Sequence, residues 1–419
     1  MKSTLMVNNE YDVTILKQDN FGLGVAKVEN VVVFVSNGIC GDVCRIKITA
    51  LKKNFAYGVI VKMINPSSFR VIPKCPYYEA CGGCHIMHEN RMMQLKFKEE
   101  KVRELLVRFT GRSDIKFYPI IGGDDFYYRN KVIFHGNGSK LGFYKNKSNE
   151  LVEINECMIV DKDLNRIYQN ISDFIKTNSD NSIEEVLLRK SSLGKYLASI
   201  KGNVDSKKIV SNLEMVDTIF INDILIKGKE YIEEEIDKVK FRIFKSSFFQ
   251  VNYDMMLKLY GLVVDFYKNN KHHNVLDLYC GTGTIGMLVS RYVDSVVGVE
   301  VEPSSIVAAN IASKINNISN ITFLEGKVED KIDLFTNIDS IIVDPPRSGL
   351  DIHTVKSILK INPDTIVYIS CDPVTLSRDL KLLLDDYNIL EVHPVDMFPN
   401  TYHVETVCVM EKIKSVKEN

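Results

Sequence analysis

From residue 253 onward the sequence alternates short apolar runs with helical stretches, a rhythm that few folds accommodate. NVLDLY, SVVGVEV, ITFLEG, SIIVDP, TIVYIS and TVCVME are nearly continuous apolar runs, separated by stretches such as TIGMLVSRY and SSIVAANIASKI. Strands without polar alternation are covered on both faces, which predicts a parallel sheet between two helical layers. Ligands of such sheets bind at the carboxyl ends of the strands, so chemistry-bearing residues there are the site candidates.

The first run leads into a Gly281-x-Gly283 turn and then a helix. Glycines at that bend let a ligand approach the backbone. Glu300 ends the next strand, where a carboxylate accepts both hydroxyls of a ribose. Gly286 is read as helical, too close to the loop to be the third glycine of a dinucleotide fingerprint. S-adenosylmethionine therefore fits better than NAD.

Three further residues share this rim. Asp344-Pro345-Pro346-Arg347 follows SIIV, and its prolines make a rigid turn that projects Asp344 into the crevice. A plain strand-terminating loop would explain the prolines but not the acid. Cys371 follows TIVYIS and precedes Asp372-Pro373. A lone cysteine is more often buried filler, yet the strand end, the rigid turn and the adjacent cofactor rim favour a nucleophile. Glu405, opening the final strand, is a candidate general base.

Residues 10–62 read as five short strands punctuated by glycines, suiting a small barrel of the OB type. Pro66 and Ser67-Ser68 mark a boundary. A helix follows residue 90, with Leu95, Val102, Leu105, Leu106 and Phe109 on one stripe and its lysines and glutamates elsewhere. The text from 115 to 245 is mixed. The expected domains are a barrel over 1–65, a central α+β domain over 66–245 and a catalytic α/β domain over 246–419.

The spacing Cys75-x5-Cys81-x2-Cys84 leaves a site one ligand short, and Cys157 is the one other cysteine of the central region. One long and one short spacing with a remote fourth thiolate suits a [4Fe–4S] cluster better than zinc. His85 and His88 keep zinc as the alternative. The nine cysteines, a start without an apolar signal region and the lack of any ~20-residue apolar span point to the cytoplasm, with thiols reduced, metal-bound or catalytic.

Net charge is −1, but it is unevenly spread. Residues 45–74 carry seven basic side chains and no acid, and residues 91–147 carry thirteen against six. With Glu79 and Glu89 included, 45–147 is +12 and the rest −13. Such a block is the footprint of a polyanion binder, though a solvated lysine-rich surface gives the same count.

Taken together, the cysteine run with Cys157, YRNK at 128–131, FFQVN at 248–252, DLYCGTG at 277–283, DPPR at 344–347, SCDP at 370–373 and HVETV at 403–407 resemble the RNA 5-methyluridine methyltransferases. The likeness is to the iron–sulfur 23S ribosomal RNA members and covers essentially the whole chain. It implies a TRAM-like barrel, a cluster-bearing central domain and a Rossmann-like methyltransferase domain. It implies that Gln250, Tyr279, Glu300 and Asp344 bind S-adenosylmethionine, that Cys371 is the nucleophile and that Glu405 is the base. Thr284 stands where the family often has asparagine. The implied partner is 23S ribosomal RNA, with the T-loop uridine of transfer RNA as the alternative, no membrane, and a monomeric protein. An iron–sulfur RNA-binding protein with a vestigial catalytic domain is the reading from another class.

Overall fold

The computed structural model describes residues 5–178 and 181–413. The chain divides into two compact units, Met1–Lys101 with Tyr144–Val152 and Phe398–His403, and Val102–Phe143 with Glu153–Met397 and Val404–Asn419. Among the described residues no helix is long and apolar enough to cross a membrane.

The first unit begins with a six-stranded sheet. Glu10–Thr14 pairs with Val43–Leu51, which pairs with Phe55–Asn65; that strand runs parallel to Val31–Ser36, followed by Gly24–Val28 and Lys17–Gln18. The Leu16 N–H donates to Val25 O at 2.8 Å and closes the ring. Val13, Ile15, Ala26, Val33, Val35, Ile46, Ile48 and Ala56 fill its interior. DVTILKQ, expected as one strand, is two, because Ile15 leaves the ladder to bond Gly41 and Asp42 and the chain turns a corner there.

Helix α1 spans Arg91–Thr110. Val102, Leu105 and Leu106 are buried as the apolar stripe predicts, but Gln94 and Lys98 are buried too. The expectation that its lysines stay on the polar face fails at Lys98.

In the second unit, Lys131–Asn137, Ser182–Lys190, Tyr196–Asn203, Thr218–Ile221 and Ile224–Lys227 build a mixed sheet. The glutamate-rich stretch near 230 is one arm of a hairpin, Tyr231–Ile236 against Val239–Phe244. Helix α2 (Tyr253–Asn269) then leads to β1 (Asn274–Leu278), β2 (Ser295–Glu300), β3 (Ile321–Glu325), β4 (Ser340–Val343), β5 (Thr365–Ser370), β6 (Tyr387–Val395) and β7 (Glu405–Lys412). Their order is β3-β2-β1-β4-β5-β7-β6, and the strand order reverses between β1 and β4. The sheet is not wholly parallel. β7 runs antiparallel between β5 and β6, because β6 returns to it through a loop without a crossover helix. The sequence reading missed β6, whose first half alternates exposed residues with buried or half-buried ones as a sheet edge does.

Candidate active site

Beyond Leu278 the chain bends sharply, with positive φ at Tyr279 (62°), Gly281 (55°) and Gly283 (72°). A Cβ on Gly281 would meet nothing within 4 Å, so the bend opens onto free space. A Cβ on Gly283 would lie 2.5 Å from the Phe323 ring, so that glycine serves close packing. Tyr279 holds a strained left-handed backbone, and its hydroxyl reaches Glu329 Oε1 at 3.4 Å. The Glu300 carboxylate accepts from Gly281 N–H at 3.0 Å and from Glu302 N–H at 2.8 Å. Both oxygens are oriented by backbone donors and keep acceptor capacity for ribose hydroxyls.

Gly286 requires a correction. Its N–H donates to Asp277 Oδ2 at 3.0 Å, and a Cβ there would lie 2.8 Å from that oxygen. It therefore performs the close helix–strand packing of a third glycine, and its place inside a helix does not argue against a dinucleotide. Thr284 turns inward to Thr282, with their hydroxyls 3.1 Å apart.

Asp344 leaves β4 at the switch point, its N–H donating to Leu278 O at 3.3 Å. Burial raises its carboxyl to about 7. The loop behind it is tied to helix α3 (Pro373–Leu383), which starts just after Cys371. Buried Asp379 accepts from Leu350 N–H at 2.8 Å and Tyr368 Oη at 2.7 Å. Arg378 bridges to Asp379 and donates to Ser348 O and Leu350 O. Asp344 and Cys371 thus sit on loops held as one piece.

Cys371 follows β5 directly and precedes Asp372, which caps α3 by accepting from Val374 N–H at 2.8 Å. Across the ladder Ser370 pairs with Thr406, and Val395 pairs with Glu405. Cys371 and Glu405 therefore stand at the same end of adjacent strands. Burial first, then the Glu405 charge, pushes the Cys371 thiol up to about 12, with Arg347 opposing. Burial and the Asp344 charge raise Glu405 to about 8, again opposed by Arg347. A carboxyl poised near neutrality in a buried site suits proton transfer.

Gln250 is buried and reaches the site through two supports. Asn130, in YRNK, donates its N–H to Val251 O at 2.8 Å and its amide to Gln250 O at 3.3 Å. Buried Arg189 donates to Ser247 O at 2.8 Å and Phe249 O at 3.4 Å. Two site residues escaped the sequence reading. Asp277 is 1% exposed, and burial with the Asp344 charge raises it to about 8. The Tyr260 hydroxyl on α2 is raised by burial and by Asp344, Glu405 and Asp277, with a hydrogen bond to Gln250 opposing. Nothing in its local sequence marks Tyr260. Asp277 lay inside a recognised motif without an assigned role.

The cysteine region is arranged differently. In the first unit Gly83 N–H donates to Cys81 Sγ at 3.4 Å, and Cys81 is raised by burial and by the neighbouring Cys75. His88 is engaged by Tyr78, whose hydroxyl lies 2.6 Å from its Nδ1, and burial lowers it to about 3. Among the described residues no group of three or more His, Cys, Asp or Glu is gathered to hold a metal ion. No chemical step is assigned to a cluster or to zinc.

Comparisons with known proteins place the chain in a family. Residues 221–413 match the tRNA (Uracil-5-)-methyltransferase family model, and residues 4–61 match the TRAM domain. An uncharacterized RNA methyltransferase of Clostridium acetobutylicum is 34% identical over 97% of this chain and 98% of its own. One from Bacillus cereus is 32% identical over 97% and 98%. The structure of Pyrococcus abyssi tRNA (uracil-54, C5)-methyltransferase in complex with S-adenosyl-L-homocysteine is similar at TM-score 0.77 and 26% identity, covering 96% of this chain and 100% of that one. With Cys371, Glu405, Asp344 and the Gly281 bend on one sheet edge, this chain belongs to the S-adenosylmethionine-dependent RNA (uracil-C5)-methyltransferases.

Proposed function

We propose that this protein methylates C5 of a uridine in 23S ribosomal RNA, with Cys371 as nucleophile and Glu405 as base. The observation that carries the reading is the placement of Cys371 and Glu405 at the same end of paired strands. Uracil C5 is too weak a nucleophile to take a methyl group unaided. The Cys371 thiol loses its proton to solvent and adds to C6 as the thiolate, which turns the C4–C5 edge into an enolate. S-adenosylmethionine, when bound, supplies the methyl as a sulfonium. Glu405 then takes the C5 proton, the C5–C6 double bond re-forms and the thiolate leaves. Gln250, Tyr279, Glu300 and Asp344 are proposed to hold the cofactor, beside the open space at Gly281.

RNA contact is supported by the outer face of the barrel. In register, Lys17–Val25–Phe34–Tyr57 forms a row across four strands and Lys27–Val32–Phe55 one across three. Phe34, Phe55 and Tyr57 pack with ring centroids 5.5–5.9 Å apart. The barrel interior has its own core, so these aromatics lie outside it. Rings flanked by lysines suit stacking of unpaired bases.

A second reading, the T-loop uridine of transfer RNA, is favoured by the whole-length likeness to the Pyrococcus abyssi enzyme. That likeness spans the barrel as well, so a barrel does not by itself select ribosomal RNA. Methyl transfer from labelled S-adenosylmethionine to unmodified 23S and tRNA transcripts decides. Label in the 23S transcript alone supports the proposal, and label in tRNA alone overturns it.

A [4Fe–4S] cluster on Cys75, Cys81, Cys84 and Cys157, with zinc as alternative, is proposed from the resemblance and the cysteine spacing alone. Anaerobically purified protein carrying about four irons per chain supports it. Stoichiometric zinc, or no metal, removes it. The protein is further proposed to act as a monomer in the cytoplasm.

A further inference from the structure

β6 and β7 are antiparallel neighbours whose Val395–Glu405 pair closes the ladder, yet the nine residues 396–404 join them where a hairpin needs two to five. Phe398–His403 of this loop belongs to the first unit, and α1 takes hold of it there. Gln94 and Asn400 pair reciprocally: Gln94 Nε2 donates to Asn400 Oδ1 at 3.2 Å, and Asn400 N–H donates to Gln94 Oε1 at 3.1 Å. Lys98 Nζ donates to Phe398 O at 2.9 Å, and Lys101 Nζ to Tyr402 O at 3.0 Å. The N–H groups of His85 and Ile86, just past the cysteine run, both donate to Asn400 O. Asn400 itself sits at φ 66°, a turn that needs such support.

Gln94 is 2% exposed and Lys98 0%. Burying an amide and an ammonium is costly unless they are hydrogen-bonded, and here both bond the strap, with Gln94 Nε2 donating as well to Ile86 O at 3.2 Å and Glu89 O at 3.1 Å. The strap leaves through Val404 directly into Glu405. We propose that Gln94 and Lys98 are positioning residues for the base: they clasp the strap 398–402, which sets the backbone entering Glu405. This rests on the assignment of Glu405 above. It gives the region around the cysteine run a task in the reaction, since its His85 and Ile86 form the far side of the clasp.

If the clasp is opened, the last pair of the β7 ladder frays and Glu405 loses its place, while the cofactor rim at Gly281, Glu300 and Asp344 is untouched. The test uses full-length Gln94→Leu, Lys98→Met and Lys101→Met, with unmodified 23S and tRNA transcripts as probes. The first two are expected to keep S-adenosylmethionine affinity within about twofold, form the covalent adduct at the normal rate and release methylated RNA at least tenfold more slowly. Mass spectrometry then shows a methylated protein–RNA adduct. Lys101 is half-buried, so Lys101→Met should fold and show a smaller build-up of the same adduct. Normal turnover without adduct in folded variants overturns the clasp, as does joint loss of cofactor affinity and adduct formation. Glu405→Gln separates the two failures. If it traps adduct and Gln94→Leu and Lys101→Met do not, the clasp alone is wrong; if it turns over normally, the base assignment falls and the clasp with it.

Discussion

Cys371 and Glu405 occupy the ends of two strands that share a ladder, Cys371 one residue beyond Ser370 and Glu405 one residue before Ser370's partner Thr406. Because β7 runs antiparallel to β5, the end of one strand and the start of the other meet on one rim. The proposed nucleophile and base are thereby brought to one rim from positions 34 residues apart in sequence.

Cys371→Ala should abolish both methylation and covalent capture of RNA while leaving S-adenosylmethionine affinity nearly intact, since only the nucleophile is removed. Gel shift under denaturing conditions and equilibrium binding read the two effects separately. Methylation at a wild-type rate would show that another group attacks C6.

Glu405→Gln keeps the shape of the side chain but cannot accept the C5 proton. It should stall after methyl transfer and accumulate an adduct that already carries the methyl group, detectable by mass spectrometry. Turnover without that adduct would transfer the role to water or another carboxylate.

Stability should fall as pH rises across the active-site window. Burial raises Asp344 to about 7 and Asp277 and Glu405 to about 8, against about 4 for exposed carboxyls. Between those limits the folded chain retains protons that the unfolded chain has lost, so unfolding releases protons and is favoured by higher pH. Each such group contributes at most about 1.4 kcal/mol per pH unit. The melting temperature without cofactor should therefore drop from pH 7 to pH 8, above the range where buried His88 gains a proton on unfolding, and Glu405→Gln should flatten the slope. A melting temperature that rises over that window, or a slope unchanged in the variant, would contradict the raised Glu405.

Phe34→Ala and Tyr57→Ala on the outer barrel face should weaken RNA binding by about 1–3 kcal/mol each, the scale of one base–aromatic stack. The inward core of Val33, Val35, Ile46 and Ile48 is untouched, so the barrel should stay folded. Filter binding alongside a melting curve checks both. Unchanged affinity would assign the face to solvent.

Much of this site was legible in the sequence because strand-end chemistry is local. A run such as SIIV followed by Asp344-Pro345 announces both a buried strand and the residue beyond its end, and the same holds for Cys371 after TIVYIS. The hydrophobic period and the turn residues by themselves determined the parallel strands, the bend at Gly281 and the small barrel. What decided the rest was pairing between distant segments, to which local pattern is blind. The antiparallel insertion of β7 follows from a loop rather than a helix joining it to β6, and it alone sets Glu405 beside Cys371. Tyr260 joins the site through the packing of α2, and Lys98 reads as a polar-face position on a helix until Phe398, some 300 residues later, supplies a partner for it in its buried place. A side chain's polarity is written in the sequence, but whether it faces water or a distant backbone is settled by which segment the fold lays against it.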